Sequence, residues 1–143
     1  MNFISFVYMN LNILNEIPPL SDKDCFHVVE RYKTEFTYPL HQHREFEINF
    51  IEHGRGLKRT VGDNIQYTGE YDLILISGER LEHVWEQGDC TSPLVREITI
   101  RFSRYLWSPG WWEKNRLTPI GKRCLKANIG LSCNFNPIMY FSR

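Results

Sequence analysis

Neither sign of charge predominates in this chain. Across 143 residues, 17 Lys and Arg balance 17 Asp and Glu, so no overall field recruits nucleic acid or an anionic membrane. Closely paired cysteines are missing too. Cys25, Cys90, Cys124 and Cys133 have no spacing of a zinc knuckle or a secreted disulfide framework, and reduced thiols in the cytoplasm are the expectation. The apolar opening, Met1 to Leu14, is broken by asparagines and too short to span a bilayer. It has neither a basic leader nor a small-residue cleavage site, and Met9 would serve as a start as well as Met1. A Gly-rich phosphate loop, a nucleophile elbow, a paired-cysteine redox motif, internal repeats and low-complexity stretches are all lacking, which sets aside several enzyme classes.

What is there suits one soluble domain with a real core: 42% hydrophobic residues, and a 14% aromatic share that favours sheet surfaces or a ligand pocket. Charge is unevenly spread. Residues 1–103 hold 10 Lys/Arg against 16 Asp/Glu, and residues 104–143 hold 7 against 1. The basic tail is either a solvated helix face or a segment that meets something anionic.

Pro18-Pro19 and the Ser-Asp-Lys-Asp after them separate an N-terminal arm (1–24) from the body. From Phe26 to Phe102 the patterns are those of strands: His27–Thr34, Glu45–Ile51, Leu57–Val61, Ile65–Thr68, Leu73–Ile76, His83–Glu86 and Val95–Phe102. Gly54-Arg55-Gly56 and Gly62-Asp63-Asn64 mark turns, and Leu73–Ile76 reads as fully buried. Seven short strands at this spacing predict a sandwich or small barrel. After Phe102 the character changes. Ser108-Pro109 and Thr118-Pro119 pair a capping residue with proline at a first helical position. In the second expected helix Ile120, Cys124, Ala127 and Leu131 share a face, Lys122, Arg123 and Lys126 point away, and Gly130 marks the end. Such a stripe seeks a partner surface.

The chemistry concentrates in His41-Gln42-His43-Arg44-Glu45-Phe46-Glu47. Alternation along one strand would put His41, His43, Glu45, Glu47 and Asn49 on one face, with Phe46, Ile48 and Phe50 on the other. Two arrangements follow. Either the apolar row is the core and the polar row meets water, or the polar row lines a binding interior and the apolar row is covered by helices or a second subunit. His83 would return alongside after the Leu73–Ile76 strand and a Ser77-Gly78 turn. Three imidazoles and a carboxylate suit Fe²⁺, Mn²⁺, Ni²⁺ or Zn²⁺, and they equally suit the hydroxyls of a polar ligand. Trp85 offers an aromatic platform, or core packing. Arg59 offers a bidentate contact, or a salt bridge, and Glu45 a further acceptor. His27 and His53 fall outside this cluster, and Trp107, Trp111 and Trp112 read as packing or dimer contacts.

The spacing of His41, His43, Glu47 and Gly54 resembles the first motif of the cupin superfamily, with Glu35 where that motif opens on glycine. Gly69, Gly78 and His83 resemble the second motif, with Gln87 at a position where asparagine is common. A narrower resemblance runs from about residue 25 to 131. Leu40-His41-Gln42-His43 with Glu45-Phe46-Glu47, Gly62-Asp63, Tyr71–Ile76, Leu81–Trp85 and Arg96–Ile100 look like the sensing domain of AraC-type transcriptional regulators. That resemblance implies a mainly β, cupin-like (double-stranded β-helix, or jelly-roll) barrel over 25–103, followed by two C-terminal α-helices over 104–133 used for dimerisation. It implies a small polar effector, sugar-like, bound by His41, His43, Glu45, Glu47, Arg59, His83 and Trp85, and a homodimer built on Ile120, Cys124, Ala127 and Leu131. The DNA-binding module of such regulators has no counterpart here, residues 134–143 read as the cut-short start of a linker, and specific DNA binding by this chain alone is not expected. A small metal-dependent cupin enzyme of the isomerase or dioxygenase type, using His41, His43, Glu47 and His83, is the alternative.

Overall fold

Runs of Val, Ile, Thr, Tyr and Phe, bounded by Gly, Asn and Asp turns, form ten strands among the described residues. The computed structural model describes residues 13–17, 20, 21, 23–77, 80–103, 105, 106, 110, 114, 118, 119 and 129–133. The strands are β1 (Leu14–Asn15), β2 (Phe26–Lys33), β3 (His41–Gln42), β4 (Phe46–Glu52), β5 (Lys58–Val61), β6 (Asn64–Tyr67), β7 (Tyr71–Ser77), β8 (His83–Glu86), β9 (Val95–Phe102) and β10 (Ile129–Cys133). They make two five-stranded sheets, β1-β3-β8-β5-β6 and β10-β7-β4-β9-β2. Side chains from both sheets share one core: Ile51, Ile74, Ile76 and Val95 from the second meet Val61 and Trp85 from the first, with Leu57 and Leu81 beside them. The chain is therefore mainly β, with two sheets packed on a common interior.

Alternation decides which row of β4 faces that interior. Glu47, Asn49 and Ile51 are buried, while Ile48 and Phe50 are half-buried on the opposite face. On that outer face Phe46 and Phe102 pack edge to face, 5.5 Å between ring centres, with Ile48, Leu75, Ile100 and Leu106 around them. Polar inward and apolar outward is thus the arrangement adopted, and the reading with the polar row in water is set aside.

Three expectations are corrected. The histidine run is not one strand: the chain leaves the first sheet after Gln42 and enters the second at Phe46, so His43–Glu45 form a corner. Leu73–Ile76 is not buried on both faces, because burial alternates along β7. The third concerns the helix expected to run through Leu131. Ile129–Cys133 is strand β10, antiparallel to β7 with Leu131 opposite Leu75. Ile129, Leu131 and Cys133 also repeat every second residue, which fits an edge of β7 that would otherwise leave backbone groups unpaired. Gly130 is no helix cap: a Cβ there would stand 2.9 Å from Val61 Cγ1, so glycine permits the close approach. Leu131 therefore leaves the helical stripe, and Ile120, Cys124 and Ala127 lie outside the described residues, as does most of the expected helical pair.

Candidate functional site

The corner at residues 43–45 gathers groups from both sheets. His41 on β3 pairs in register with His83 on β8, which also faces Val61 on β5. Glu47 on β4 sits opposite Arg101 on β9. His41, His43, Glu47 and His83 are all buried. Their rings cluster: His41 and His83 are 4.2 Å apart between centres, His43 and His83 4.9 Å, and His41 and His43 6.1 Å.

Each imidazole is held by a backbone carbonyl two residues away. Nδ1 of His41 lies 3.0 Å from Pro39 O, that of His43 3.0 Å from Glu45 O, and that of His83 2.8 Å from Leu81 O. A carbonyl only accepts, so Nδ1–H donates in each ring and Nε2 is left as the coordinating nitrogen. One ligand atom from each of the three histidines falls within 4.8 Å of the others. His83 Nε2 is buried with no hydrogen-bond partner. His43 Nε2 lies 2.9 Å from Glu47 Oε2, whose oxygen also accepts from Arg101 Nε at 2.9 Å. The donor types, the fixed tautomers and the unpartnered His83 Nε2 fit a divalent cation with His41, His43 and His83 as nitrogen ligands. Glu47 stands beside that set, with its Oε2 between His43 and Arg101.

The electrostatics agree with a site that resists protons on nitrogen. Burial pushes the His83 imidazole down to about 3 and lowers His41 as well. Burial alone would raise Glu47, but its contact with His43 and the charges of His83, His43 and Arg101 outweigh it and hold the carboxyl at about 2.

Beside this cluster lies a cavity of ≈ 300 Å³ whose wall includes His41, Glu47, Asn49, Trp85, Thr99 and Arg101. Trp85 stands edge-on to His83 at 6.0 Å, and its Nε1 has no hydrogen-bond partner. Asn49 donates to Glu97 and Thr99, both at 3.2 Å, and its Oδ1 is unpartnered. The other two expected ligand residues sit elsewhere. Arg59 is buried and tied to Asp72 through Nη1 and to Gln66 Oε1 at 2.5 Å, and it does not line the cavity. Glu45 is half-buried at the corner, likewise off the cavity wall.

Arg101, Glu97 and Thr99 are functional candidates that sequence reasoning passed over. Their signal was present, since they alternate with Ile98, Ile100 and Phe102 just as Glu47 and Asn49 alternate with Ile48 and Phe50. Glu16 carried no such signal. It follows the two-residue β1, which runs parallel to β3, and its Oε2 accepts from Arg101 Nη2 at 2.7 Å.

No family model and no curated protein match this sequence. Among solved structures the chain is similar to ToxT from Vibrio cholerae, at 9% sequence identity and a TM-score of 0.48. The similarity covers 80% of this chain and 44% of that one, so the chain spans less than half of its length. Among the described residues, no helix is long and apolar enough to cross a membrane.

Proposed function

We propose that this chain is an effector-sensing domain of the AraC type, which takes a small polar molecule between its two sheets and does no catalysis. One observation carries the reading: the inward polar row of β4 and β9 walls a cavity of ≈ 300 Å³, and two of its lining residues hold buried, unpartnered atoms, Asn49 Oδ1 and Trp85 Nε1. Buried polar atoms left unpaired cost about 1–3 kcal/mol each, so a ligand that pairs them gains affinity and selectivity together. A hydroxyl can donate to Asn49 Oδ1 and accept from Trp85 Nε1–H, which suits a sugar-like molecule with Trp85 as its platform. The motifs around His41, Gly62, Tyr71 and Arg96 support the regulator family, and DNA would be gripped by a separate module. In this reading the chain is a homodimer, using the Ile120, Cys124 and Ala127 stripe.

The test is thermal unfolding against a panel of sugars, polyols and hydroxy acids, since only a ligand preferring the folded state raises the midpoint. No stabilisation by any of them would sink the proposal. A strictly monomeric chain at micromolar concentration would remove the dimer.

A second reading, a metal-dependent cupin enzyme, is favoured by the three Nδ1–H groups held by backbone carbonyls. His41, His43, His83 and Glu47 would hold the ion, which would supply a Lewis acid beside the cavity. Retained metal with turnover of a carbonyl or hydroxyl substrate would favour it over sensing.

A further inference from the structure

Arg101 is the buried cation of the cavity, and two carboxylates divide it. Its Nε donates to Glu47 Oε2 at 2.9 Å and its Nη2 to Glu16 Oε2 at 2.7 Å. These two nitrogens are the side-on edge that a single carboxylate takes as a bidentate fork. Glu47 is fixed near the start of β4, paired on one side with Ile76 of β7 and on the other with Arg101 of β9. Glu16 is held far less firmly. The strand before it is two residues long, and the segment is joined to its neighbour by Leu14 N–H to Leu40 O at 3.1 Å and Glu16 N–H to Gln42 O at 3.0 Å, with Gln42 Nε2 donating to Asn15 Oδ1 at 2.6 Å. The next residue, Ile17, is 92% exposed. Yet this weakly attached segment delivers a carboxylate onto the cavity wall, with Oε2 3.8 Å from His41 Nε2 and Tyr38 lining the same cavity.

We infer that Glu16 occupies the place of a ligand carboxylate, and that the effector is a small hydroxy acid whose carboxylate displaces Glu16 from Arg101. The hydroxyls of such a ligand reach Asn49 and Trp85 while its charge replaces that of Glu16, so Arg101 stays paired throughout. A neutral polyol makes that exchange less well, because its hydroxyl accepts from Arg101 Nη2 without the charge that Glu16 takes away. This rests on the effector-domain reading and narrows its ligand to an anion. While Glu16 is seated, only the released fraction of the chain binds, and the apparent affinity is lowered by that fraction.

The experiment compares D-gluconate with D-sorbitol, which differ in having a carboxylate or a CH₂OH at one end, on the whole chain. Calorimetry and thermal unfolding should show gluconate binding and sorbitol binding at least about tenfold weaker. Removing the competitor in Glu16→Ala, or only its charge in Glu16→Gln, should tighten gluconate by about tenfold. Arg101→Lys, which keeps the charge but loses the paired nitrogens that serve Glu47 and the ligand together, should weaken it by a similar factor. Circular dichroism checks that each variant is folded. Gluconate affinity unchanged in both Glu16 variants, or in Arg101→Lys, overturns the inference. Equal binding of sorbitol and gluconate overturns it too but leaves the effector domain standing. Binding of neither also overturns it, and the effector domain falls with it only if the whole panel of sugars, polyols and hydroxy acids fails to stabilise the fold.

Discussion

His43 and Glu47 touch across the corner where the chain passes from one sheet to the other, with Nε2 2.9 Å from Oε2. Because His43 gives its Nδ1–H to Glu45 O, a neutral ring presents a lone pair to the carboxylate. The contact is therefore completed by a second proton on the ring or by a cation between the two groups.

Metal retention separates these cases. After loading with Zn²⁺, Mn²⁺, Ni²⁺ or Fe²⁺ and dialysis, elemental analysis should find stoichiometric metal, lost in His41→Ala and in His83→Ala. At a hundredfold excess over its dissociation constant, a bound ion should stabilise the fold by about 2.7 kcal/mol. Wild-type chain that keeps no metal and an unmoved midpoint would point to the protonated ring.

The same cluster makes stability depend on pH, with a definite sign. His83 is pushed down to about 3 from an ordinary 6.5, chiefly by burial. Below 6.5 the unfolded chain takes up a proton that the folded chain refuses. Stability is therefore full above that value and falls as pH drops towards about 3, by up to about 1.4 kcal/mol per pH unit. Glu47, held at about 2 against 4.5, adds its loss below 4.5. His41 is lowered too, so His83→Gln should reduce the slope between pH 6.5 and 4.5 without abolishing it. Urea titrations with chelator present measure this, and an unchanged slope in the variant would refute the assignment.

How much of this was legible follows from where each signal resides. Alternation is local, so the seven strands from β2 to β9 that carry it could be read to within a residue or two. Orientation is not local. Whether Glu47 or Ile48 faces inward depends on Arg101 and Thr99 arriving on β9, about 50 residues later. The corner at 43–45 also escaped, because a strand that changes sheets keeps its period. β10 was hidden since Ile129, Leu131 and Cys133 fit a two-residue repeat while Leu131 also fits a helical one. Glu16 offered no pattern at all; its role comes from one long-range contact with Arg101.

Arg59 and Asp72 form a buried ion pair, with Gln66 as the second partner of the guanidinium. Removing one member strands the other in a poorly hydrated site. Asp72→Ala should cost about 3–5 kcal/mol in urea unfolding, whereas Arg59→Met with Asp72→Leu should recover much of that loss. Gluconate or sugar binding by the double variant should match the wild type, since Arg59 does not line the cavity. A binding loss in a folded double variant would return Arg59 to the site.

Gly54 and Gly69 both fall at positions whose spacing resembles that of cupin motifs, but the structure gives them different work. A Cβ on Gly54 would run into Ile51 Cγ2 and stand 3.1 Å from Leu57 Cδ1, and both of those side chains are fully buried. The carbonyl of Gly54 also accepts from Thr68 Oγ1 at 2.5 Å and from Leu57 N–H at 3.0 Å, so the backbone has little freedom to withdraw. A Cβ on Gly69 would meet only Tyr71 O at 3.7 Å, an ordinary contact. Neither glycine has a left-handed backbone, so steric room alone separates them. Gly54→Ala should therefore lose about 1–3 kcal/mol through overpacking, and Gly69→Ala should stay within about 0.5 kcal/mol of the wild type. Urea midpoints with unchanged slopes would establish the difference, and equal losses at the two positions would mean that the motif glycines serve something other than the packing of Ile51 and Leu57.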